Sequence, residues 1–343
     1  MPDPKNVTSR KADHIRINLE EDVRSAITTG LERFRFIHQA LPEMNLQDVN
    51  MGQMLFGRQV NAPILISSMT GGTREAAIIN QRLAEAAQQY GLVMGVGSQR
   101  AGIEHPEEAV TFQVRRYAPD ILLFANLGAV QLNYGYSILQ CQQAVDMIQA
   151  DGLILHLNGL QEALQPEGDT HLEGLLIKIE QICRVLPVPV IIKEVGWGIS
   201  PQTVDKLKDV GIAAIDVAGA GGTSWSQVEK HRMKDERLSQ VAAAFRNWGI
   251  PTAESIQNVR QSAPQMTVFA SGGLKDGIDI AKCIALGANL GGMAGPFLKV
   301  AATALEDVID FTYVLMREIQ ICMFASGCGT LTDLQKVALE EFK

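Results

Sequence analysis

The stretch VFASGGLKDGIDIAKCIALGANLGGMAG, residues 268–295, decides the fold. Two apolar runs in it, Val268–Ser271 and Asn289–Met293, have the length of buried strands and each ends in a turn of small residues. A helix-like segment over Asp276–Leu286 separates them. The order strand, turn, helix, strand, turn is typical of parallel strands joined by a crossover helix.

The two turns themselves, Gly272-Gly273 and Ala294-Gly295, suggest a ligand as well as a fold. Small residues let backbone N–H groups come close to an anion. In a closed (β/α)8 barrel, the turns after the last two strands are the usual phosphate site. We therefore interpret the pair as a phosphate site, although each turn taken singly is better explained as a simple tight turn.

Apolar runs of strand length recur along the whole chain, and most are continuous, as expected for parallel strands buried on both faces. We predict strands at Ile64–Ser67, Leu92–Val96, Ile121–Ala125, Gly152–His156, Val190–Lys193, Ala213–Val217, Val268–Ser271 and Asn289–Met293. Helices are expected between them, including Arg74–Tyr90, Ile138–Ala150, Leu172–Val185 and Pro201–Val210. Ser200 is the expected N-cap of the last of these, and Gly91 and Gly211 stand at expected C-caps.

Eight alternating repeats favour an α/β fold, a (β/α)8 TIM barrel with an N-terminal extension and a long insertion after strand 6. The alternative is a doubly wound open sheet. Such a sheet would carry a G-x-G-x-x-G fingerprint after an early strand, and the turn Met69–Gly72 does not have that spacing.

Bulk properties narrow the class of protein. The chain has 343 residues, a net charge of −8 and 46% hydrophobic residues, which fits a large core and argues against a general nucleic-acid binder. No stretch is apolar and long enough to suggest a membrane span, and the polar start gives no sign of a signal peptide. The five cysteines lack C-x-x-C spacing, as expected for reduced thiols in a cytoplasmic protein.

Two segments fall outside the repeat. We expect residues 1–60 to be an N-terminal extension packing near the barrel mouth, and residues 61–343 to form the barrel. Within the barrel, residues 224–264 are too long for a plain crossover and open with a charge run. We interpret them as a mobile excursion over the mouth with extra helices, and a solvated surface insertion is the alternative.

Lys193 is the most informative polar residue at a strand end. Catalytic residues of such barrels lie at the C-terminal ends of strands, and this lysine ends the buried run Val190–Lys193. Leaving its charge unpaired there would be costly. It therefore either faces a ligand or forms an internal ion pair, for which Asp216 on the neighbouring strand is the candidate.

Other strand ends carry residues suited to a phosphorylated ligand and a metal. Glu162 follows strand 4, and Mg²⁺ typically takes one or two carboxylates together with substrate phosphates and water. Arg10, Lys11 and Arg100 could converge on a second phosphate-bearing molecule. Taken singly, Glu162 is equally a solvated loop carboxylate, and Arg10-Lys11 a solvated tail pair.

These residues together resemble the FMN-dependent, type 2 isopentenyl diphosphate isomerase family over nearly the whole chain. The matching motifs are RKADHI from Arg10, SMTGGT from Ser68, GSQR from Gly97, ANLGA from Ala125, HLNGLQEALQPEGD from His156, KEVGWGIS from Lys193, DVAGAGGTSW from Asp216, SGGLKDG from Ser271 and AGPFL from Ala294. HLNGLQEALQPEGD is the most specific of them, whereas the glycine turns are shared with many FMN barrels.

The resemblance implies interconversion of isopentenyl and dimethylallyl diphosphate, with FMN, Mg²⁺ and a flavin reductant such as NADPH. It also implies a homo-oligomer, a tetramer or an octamer. The chemistry needs no net redox change, because a proton is added at one carbon and another is removed elsewhere. We expect reduced FMN to act as acid and base, with Lys193 stabilising its anionic form.

Residue by residue, the resemblance implies four groups of contacts. Catalytic roles fall to Gln161, His156 and Lys193. FMN would contact Ser68, Met69, Thr70, Ser98, Asn126, Lys193, Thr223, Gly272, Gly273, Lys275, Ala294 and Gly295. Substrate would contact Arg10, Lys11, Ser98, Gln99, Arg100, His156, Asn158 and Gln161, and Glu162 would hold Mg²⁺.

Two rival functions remain possible from the sequence. One is another FMN barrel enzyme that oxidises 2-hydroxy acids or a pyrimidine precursor. The chain has no His at the end of strand 7 and no Cys in the loop after strand 6, where such enzymes resemble one another. The other is a flavin-binding barrel without turnover, which would not need Arg100, Gln161 and Glu162.

Overall fold

The computed structural model describes residues 4–342, with side chains from Lys11 onward. Its strands are β1 Phe34–Phe36, β2 Gln53–Leu55, β3 Arg58–Val60, β4 Ile64–Ile66, β5 Val93–Gly95, β6 Leu123–Gly128, β7 Gly152–Leu157, β8 Val190–Glu194, β9 Ala214–Asp216, β10 Thr267–Ser271, β11 Leu290–Met293 and β12 Leu339–Glu341. Strands β4 to β11 pair in parallel in chain order, and β11 pairs with β4 to close the barrel. The (β/α)8 prediction is confirmed.

Helices fill the intervals predicted from the sequence. They are α1 Pro4–Glu20, α2 Arg74–Tyr90, α3 Arg100–Glu104, α4 Ile138–Ile148, α5 Gly159–Leu164, α6 Leu175–Val185, α7 Pro201–Leu207, α8 Trp225–Arg232, α9 Glu236–Ala244, α10 Thr252–Ser262, α11 Gly277–Ala285, α12 Gly295–Thr303, α13 Leu305–Ala325 and α14 Leu331–Leu334. Of the predicted helices, α4, α6, α7 and α11 are each shorter than predicted and only α2 matches in full. No helix within residues 4–342 combines the length and apolarity needed to span a membrane.

Local signals explain several boundaries. The Thr73 side chain accepts the N–H of Ala76 at the start of α2, and Gly91 ends that helix with φ 65°. Ser200 caps α7 as predicted, accepting the N–H of Thr203. The expected C-cap at Gly211 is wrong, because α7 already ends at Leu207 and Gly211 lies in the following turn with φ 87°.

The third barrel strand lies further along the chain than predicted. The prediction of Ile121–Ala125 is displaced, since β6 runs through Asn126 to Gly128. Those later residues pair with Ile154–His156 of β7 and are buried. The strand continues through Asn126 and Gly128 because their backbone groups still pair with β7. A pattern of apolar residues does not report this pairing.

The described part of the N-terminal segment, residues 4–60, is divided between the two ends of the barrel. Ile17 and Val23 pack with Val228 of α8, and Lys11 and His14 line the mouth. The antiparallel hairpin β2–β3 lies at the opposite end, where Leu55 and Val60 join the interior cluster of the barrel strands.

The tip of that hairpin plugs the barrel. Phe56 and Gly57 have φ of 46° and 79°, as a two-residue type I′ turn requires. The Phe56 ring lies 6.2 Å from the ring of Phe124 and 6.3 Å from that of Phe269. These edge-on contacts close one end with apolar side chains and leave the other for polar ones.

The long segment after β9 folds into α8, α9 and α10. Helix α10 packs on α7 and β10, so it is the ordinary crossover helix to the next strand. The additional part is therefore α8 and α9 with the loops that flank them, and α8 packs against α1 and α5. Mobility of residues 224–264 stays a prediction.

The interior cluster at the plugged end predicts a large cost for truncation. Leu290 is fully buried there, and we expect Leu290→Ala to lower the free energy of unfolding by about 2–5 kcal/mol. The control Leu139→Ala, at a site 72% exposed on α4, should change it by no more than about 0.5 kcal/mol. Denaturant unfolding measures both, and equal effects would contradict this picture of the core.

Candidate functional site

A cavity of about 320 Å³ opens at the C-terminal ends of the barrel strands. Most residues that the sequence predicts for the site line it. They are Lys11, Ser68, Met69, Thr70, Ser98, Arg100, Asn126, His156, Asn158, Gln161, Glu162, Lys193, Thr223, Gly272, Gly273, Ala294 and Gly295.

Two predicted site residues, Gln99 and Lys275, do not join this lining. Gln99 is fully buried beside the cavity, where its Nε2 donates to the carbonyl of Ala144 and its Oε1 accepts the N–H of Asn126. It braces the barrel wall through these contacts, and its predicted contact with substrate stays a prediction. Lys275 is exposed and outside the cavity lining, and the side chain of Arg10 lies outside the described residues.

The two small-residue turns form a backbone cradle on one side of the cavity. Gly272 and Gly273 have φ of 109° and 79°, and a Cβ on Gly272 would lie 2.1 Å from the carbonyl oxygen of Gly219. No larger residue fits there. Gly295 begins α12, and a Cβ on it would meet nothing within 4 Å. The helix N-terminus is thus open to an anion.

Lys193 satisfies both interpretations of its position. It lines the cavity, and its Nζ also lies 3.2 Å from Oδ2 of Asp216 on the neighbouring strand β9. The same ammonium donates to the carbonyl of Glu194 at 3.0 Å and to Oγ of Ser271 at 3.2 Å. The internal ion pair therefore holds the lysine at the cavity wall.

His156 is a neutral imidazole in this setting. Its Nδ1 lies 2.9 Å from Oδ1 of Asn126, an oxygen that only accepts, so the hydrogen-bond network assigns the proton to Nδ1. Burial and the nearby charge of Lys193 lower the pKa of His156 to about 4. A Cβ on Gly128 would come within 3.2 Å of Nε2, so the glycine leaves room for the ring.

Glu162 is a buried carboxylate held in a fixed orientation on α5. Its Oε1 accepts Nδ2 of Asn158 at 2.7 Å, and its Oε2 accepts the backbone N–H of Asp169 at 2.8 Å. Oδ1 of Asn158 is buried and has no hydrogen-bond partner among the described residues. Two oxygens of the kind that bind hard cations therefore lie together.

Asp169 connects this carboxylate with Arg100. Its Oδ2 accepts Nη1 of Arg100 and Nε2 of Gln131, both at 2.9 Å, while its own N–H holds Glu162. Arg100 is also paired with Glu104 through Nε at 2.9 Å. The guanidinium is thus positioned at the cavity edge before any ligand arrives.

A buried anion anchors Gln161. Oε1 of Glu229 accepts Nε2 of Gln161 at 2.9 Å and Nε2 of Gln165 at 2.7 Å. Nε2 of His14 on α1 lies 3.4 Å from the same oxygen, and Arg232 pairs with Oε2 at 2.7 Å. Burial opposes the charge of Glu229, but His14, Arg232 and Gln161 outweigh it and hold the pKa of Glu229 at about 2.

Comparison with known proteins identifies the family. The chain is 54% identical to the isopentenyl-diphosphate delta-isomerase of Nostoc sp. over 97% of its own length and 95% of that protein. It is 56% identical to the protein of the same name from Synechocystis sp., over 96% and 95% of the two chains. The chain belongs to the FMN-dependent, type 2 isopentenyl-diphosphate delta-isomerase family. A model of the FMN-dependent dehydrogenases matches residues 156–341.

Solved structures share the architecture of this isomerase-family chain. Mandelate oxidase with (S)-2-phenylpropionate superposes with a TM-score of 0.67 over 98% of both chains, at 16% sequence identity. A variant of that enzyme with 4-Br-2-hydroxy-methylphenylacetate gives 0.69 over 99% of both chains, also at 16% identity. At this identity the likeness supports the barrel fold alone.

Several site residues of this family member escaped sequence reasoning. Glu229 stands at the start of the charge run after β9, to which the sequence gives no site role, and it is fully buried. Asp169 was quoted only as the end of a motif, and Trp225, which lines the cavity edge-on to His14 at 5.0 Å, had no role. The available signal was the pair Gln161 and Gln165, whose four-residue spacing puts two amides on one helix face and calls for a buried acceptor.

The environment of His156 predicts an unusual titration. In ¹⁵N-labelled protein, we expect its imidazole to stay in the neutral Nδ1–H form as pH falls from about 8 to about 5.5, and to protonate near pH 4. The His156→Asn variant identifies its resonances. Asn126→Ala should release the tautomer and mix the two neutral forms. An imidazolium spectrum for His156 at pH 6 would contradict this environment.

Proposed function

We propose that this protein interconverts isopentenyl and dimethylallyl diphosphate with reduced FMN as acid–base catalyst, Mg²⁺ as diphosphate clamp and NADPH as flavin reductant. The supporting observation is that one cavity holds a backbone phosphate cradle with Lys193 on one side, and Arg100 with Glu162 on the other. A simple flavin-binding site has no use for the second set. The isomerase relatives point to the same substrate.

FMN fits the first side of the cavity on the chain's own features. The cradle of Gly272, Gly273 and Gly295 suits its phosphate. The hydroxyl oxygens of Ser67 and Ser68 line the cavity, are buried, and have no hydrogen-bond partner among the described residues, so they remain for a polar ring. The positive charge of Lys193 suits an electron-rich flavin edge.

Mg²⁺ fits the second side as a partner of the substrate rather than as a resident ion in a full protein cage. Within the described part of the chain no group of three or more His, Cys, Asp or Glu could hold a metal. Glu162 with Oδ1 of Asn158 offers oxygen ligands, and a diphosphate with water would complete an octahedral shell. Lys11, whose Nζ donates to the carbonyl of Ser98 at 2.9 Å, lies at the same rim.

The proposed reaction moves a double bond by one carbon, with one proton gained and another lost, so no electrons are transferred overall. Bound reduced FMN would supply electron density and a proton-carrying nitrogen next to the hydrocarbon. The chain's residues would position and shield the substrate: Gln161 is fixed by Glu229, and His156 lines the cavity with its Nδ1 held by Asn126. Because the imidazole of His156 is neutral, it adds no charge that would compete with Mg²⁺ and Arg100 for the diphosphate.

A homo-oligomeric assembly, as a tetramer or an octamer, and a cytoplasmic location stay predictions from the resemblance. Size-exclusion chromatography with light scattering measures the first directly.

The deciding experiment follows isopentenyl diphosphate by NMR with the FMN-loaded, anaerobically reduced protein and increasing Mg²⁺. We expect turnover that needs all three components, without net consumption of NADPH once the flavin is reduced. Glu162→Gln should lower kcat/KM by about 100-fold and raise the Mg²⁺ requirement, because a charged ligand is lost. Its visible flavin spectrum should not change.

Glu173→Gln, the same substitution on an exposed loop, is the matched control and should turn over like the unmodified protein. A colourless protein after FMN addition, or a yellow one without activity on the diphosphate, would refute the proposed function. Near-normal turnover with an FMN analogue that cannot take up a proton would refute the acid–base role alone.

The cradle can be tested separately from turnover. Because a Cβ on Gly295 meets only open space, Gly295→Ala should fold with unchanged thermal stability. Its methyl group would intrude on the phosphate position, so the FMN dissociation constant should rise about tenfold, equivalent to about 1.4 kcal/mol. Fluorescence titration with FMN measures this, and an unchanged affinity would place the phosphate elsewhere.

A further inference from the structure

The ammonium of Lys193 is held by a second residue that does not face the cavity. Asp216 has zero exposure, is not part of the cavity lining, and places Oδ2 3.2 Å from Nζ of Lys193. The two residues are register partners on the adjacent strands β8 and β9. Their geometry is therefore set by the barrel itself rather than by a mobile loop.

The Asp216 carboxylate is itself locked. Its Oδ1 accepts the hydroxyl of Ser271 at 2.6 Å, and the backbone N–H groups of Ser271 and Ala218 at 3.3 Å each. Oδ2 is left directed at Lys193. Oγ of Ser271 also accepts a hydrogen bond from Nζ of Lys193 at 3.2 Å. Lys193, Asp216 and Ser271, at the ends of the adjacent strands β8, β9 and β10, therefore form one hydrogen-bonded ion pair.

We propose that Asp216, oriented by Ser271, is the positioning residue that keeps Lys193 protonated and aimed into the cofactor cavity. The inference rests on the proposed function, in that the cofactor is FMN. A buried ammonium without a counter-charge tends to lose its proton, because burial disfavours the charged form. With the carboxylate in place, the lysine stays charged and stabilises the electron-rich reduced flavin.

Other titratable groups near Lys193 do not take over this role. His156 is its register partner on β7 and is neutral, since burial and the lysine charge lower its pKa to about 4. Glu194 follows it on β8, but Oε2 of that carboxyl accepts the N–H groups of Gly196 and Trp197 at 2.6 and 2.5 Å. Burial raises the pKa of Glu194 to about 7, so at neutral pH it is only partly charged.

The test is the reduction potential of bound FMN as a function of pH, from about pH 6 to about pH 10. With Oδ2 of Asp216 3.2 Å from Nζ of Lys193, we expect the unmodified protein to show only the pH dependence of the flavin itself. In Asp216→Asn the lysine should lose its proton when the flavin is oxidised and regain it on reduction. The reduction potential should then fall more steeply with pH. The added slope should correspond to the uptake of up to one further proton for each two electrons.

Matched variants separate this role from a structural one. Asp205→Asn makes the same change on exposed α7 and should keep the unmodified slope. Lys193→Met removes the titrating group and should lose the extra proton even when combined with Asp216→Asn. A merely structural Asp216 would leave the slope unchanged in every FMN-loaded variant, and that result would overturn the proposal.

If Asp216→Asn does not fold, Ser271→Ala decides. This variant keeps the Asp216 carboxylate but removes the 2.6 Å hydrogen bond that orients it. The steeper fall of the reduction potential should therefore begin at higher pH than in Asp216→Asn and should be smaller. An unchanged slope there would also overturn the proposal. Failure of the unmodified protein to take up FMN would instead refute the proposed function, so the two outcomes are distinct.

Discussion

The pairing of β11 with β4 is the constraint on which the rest of the molecule depends. It closes the sheet, and a closed parallel sheet brings the C-terminal ends of all eight strands to one rim. Two glycines of β11 allow close packing there: a Cβ on Gly291 would lie 2.7 Å from Ile280 of α11, and one on Gly292 would lie 2.7 Å from Oγ of Ser67, directly after β4. Residues separated by more than 200 positions thereby become neighbours at the cavity.

Closure also divides the interior by chemistry. The plugged end is filled by Phe56, Phe124 and Phe269 with aliphatic neighbours, and it holds the strands in register. The open end is lined by charged groups that are already paired with carboxylates outside the lining, Lys193 with Asp216 and Arg100 with Asp169. Paired charges in a buried site need little rearrangement when a ligand binds, which is how such sites stabilise charge efficiently.

Sequence reasoning recovered the barrel and most of the cavity lining, because continuous apolar runs and small-residue turns report directly on parallel strands. The contacts that could not be predicted are those that depend on the direction of a side chain or on residues far apart in the chain. Ser98 and Gln99 are adjacent in the turn that leads into α3, yet Ser98 lines the cavity and Gln99 braces the wall. Glu229 meets Gln161 across 68 positions, a contact that no local pattern encodes. The motif resemblance supplied roles that geometry alone could not assign.

The short antiparallel pair β1–β12 has a consequence for how this chain varies over evolutionary time. Phe34–Phe36 pair with Leu339–Glu341, and the aromatic ring of Phe342 lies under the guanidinium of Arg35 at 3.4 Å. Residues 21–33 connect this clasp directly to α1, which carries Lys11 to the cavity rim. The clasp therefore ties the last described strand to the segment that follows α1. Lineages should exchange residues in these two remote segments together, as coupled pairs rather than independently.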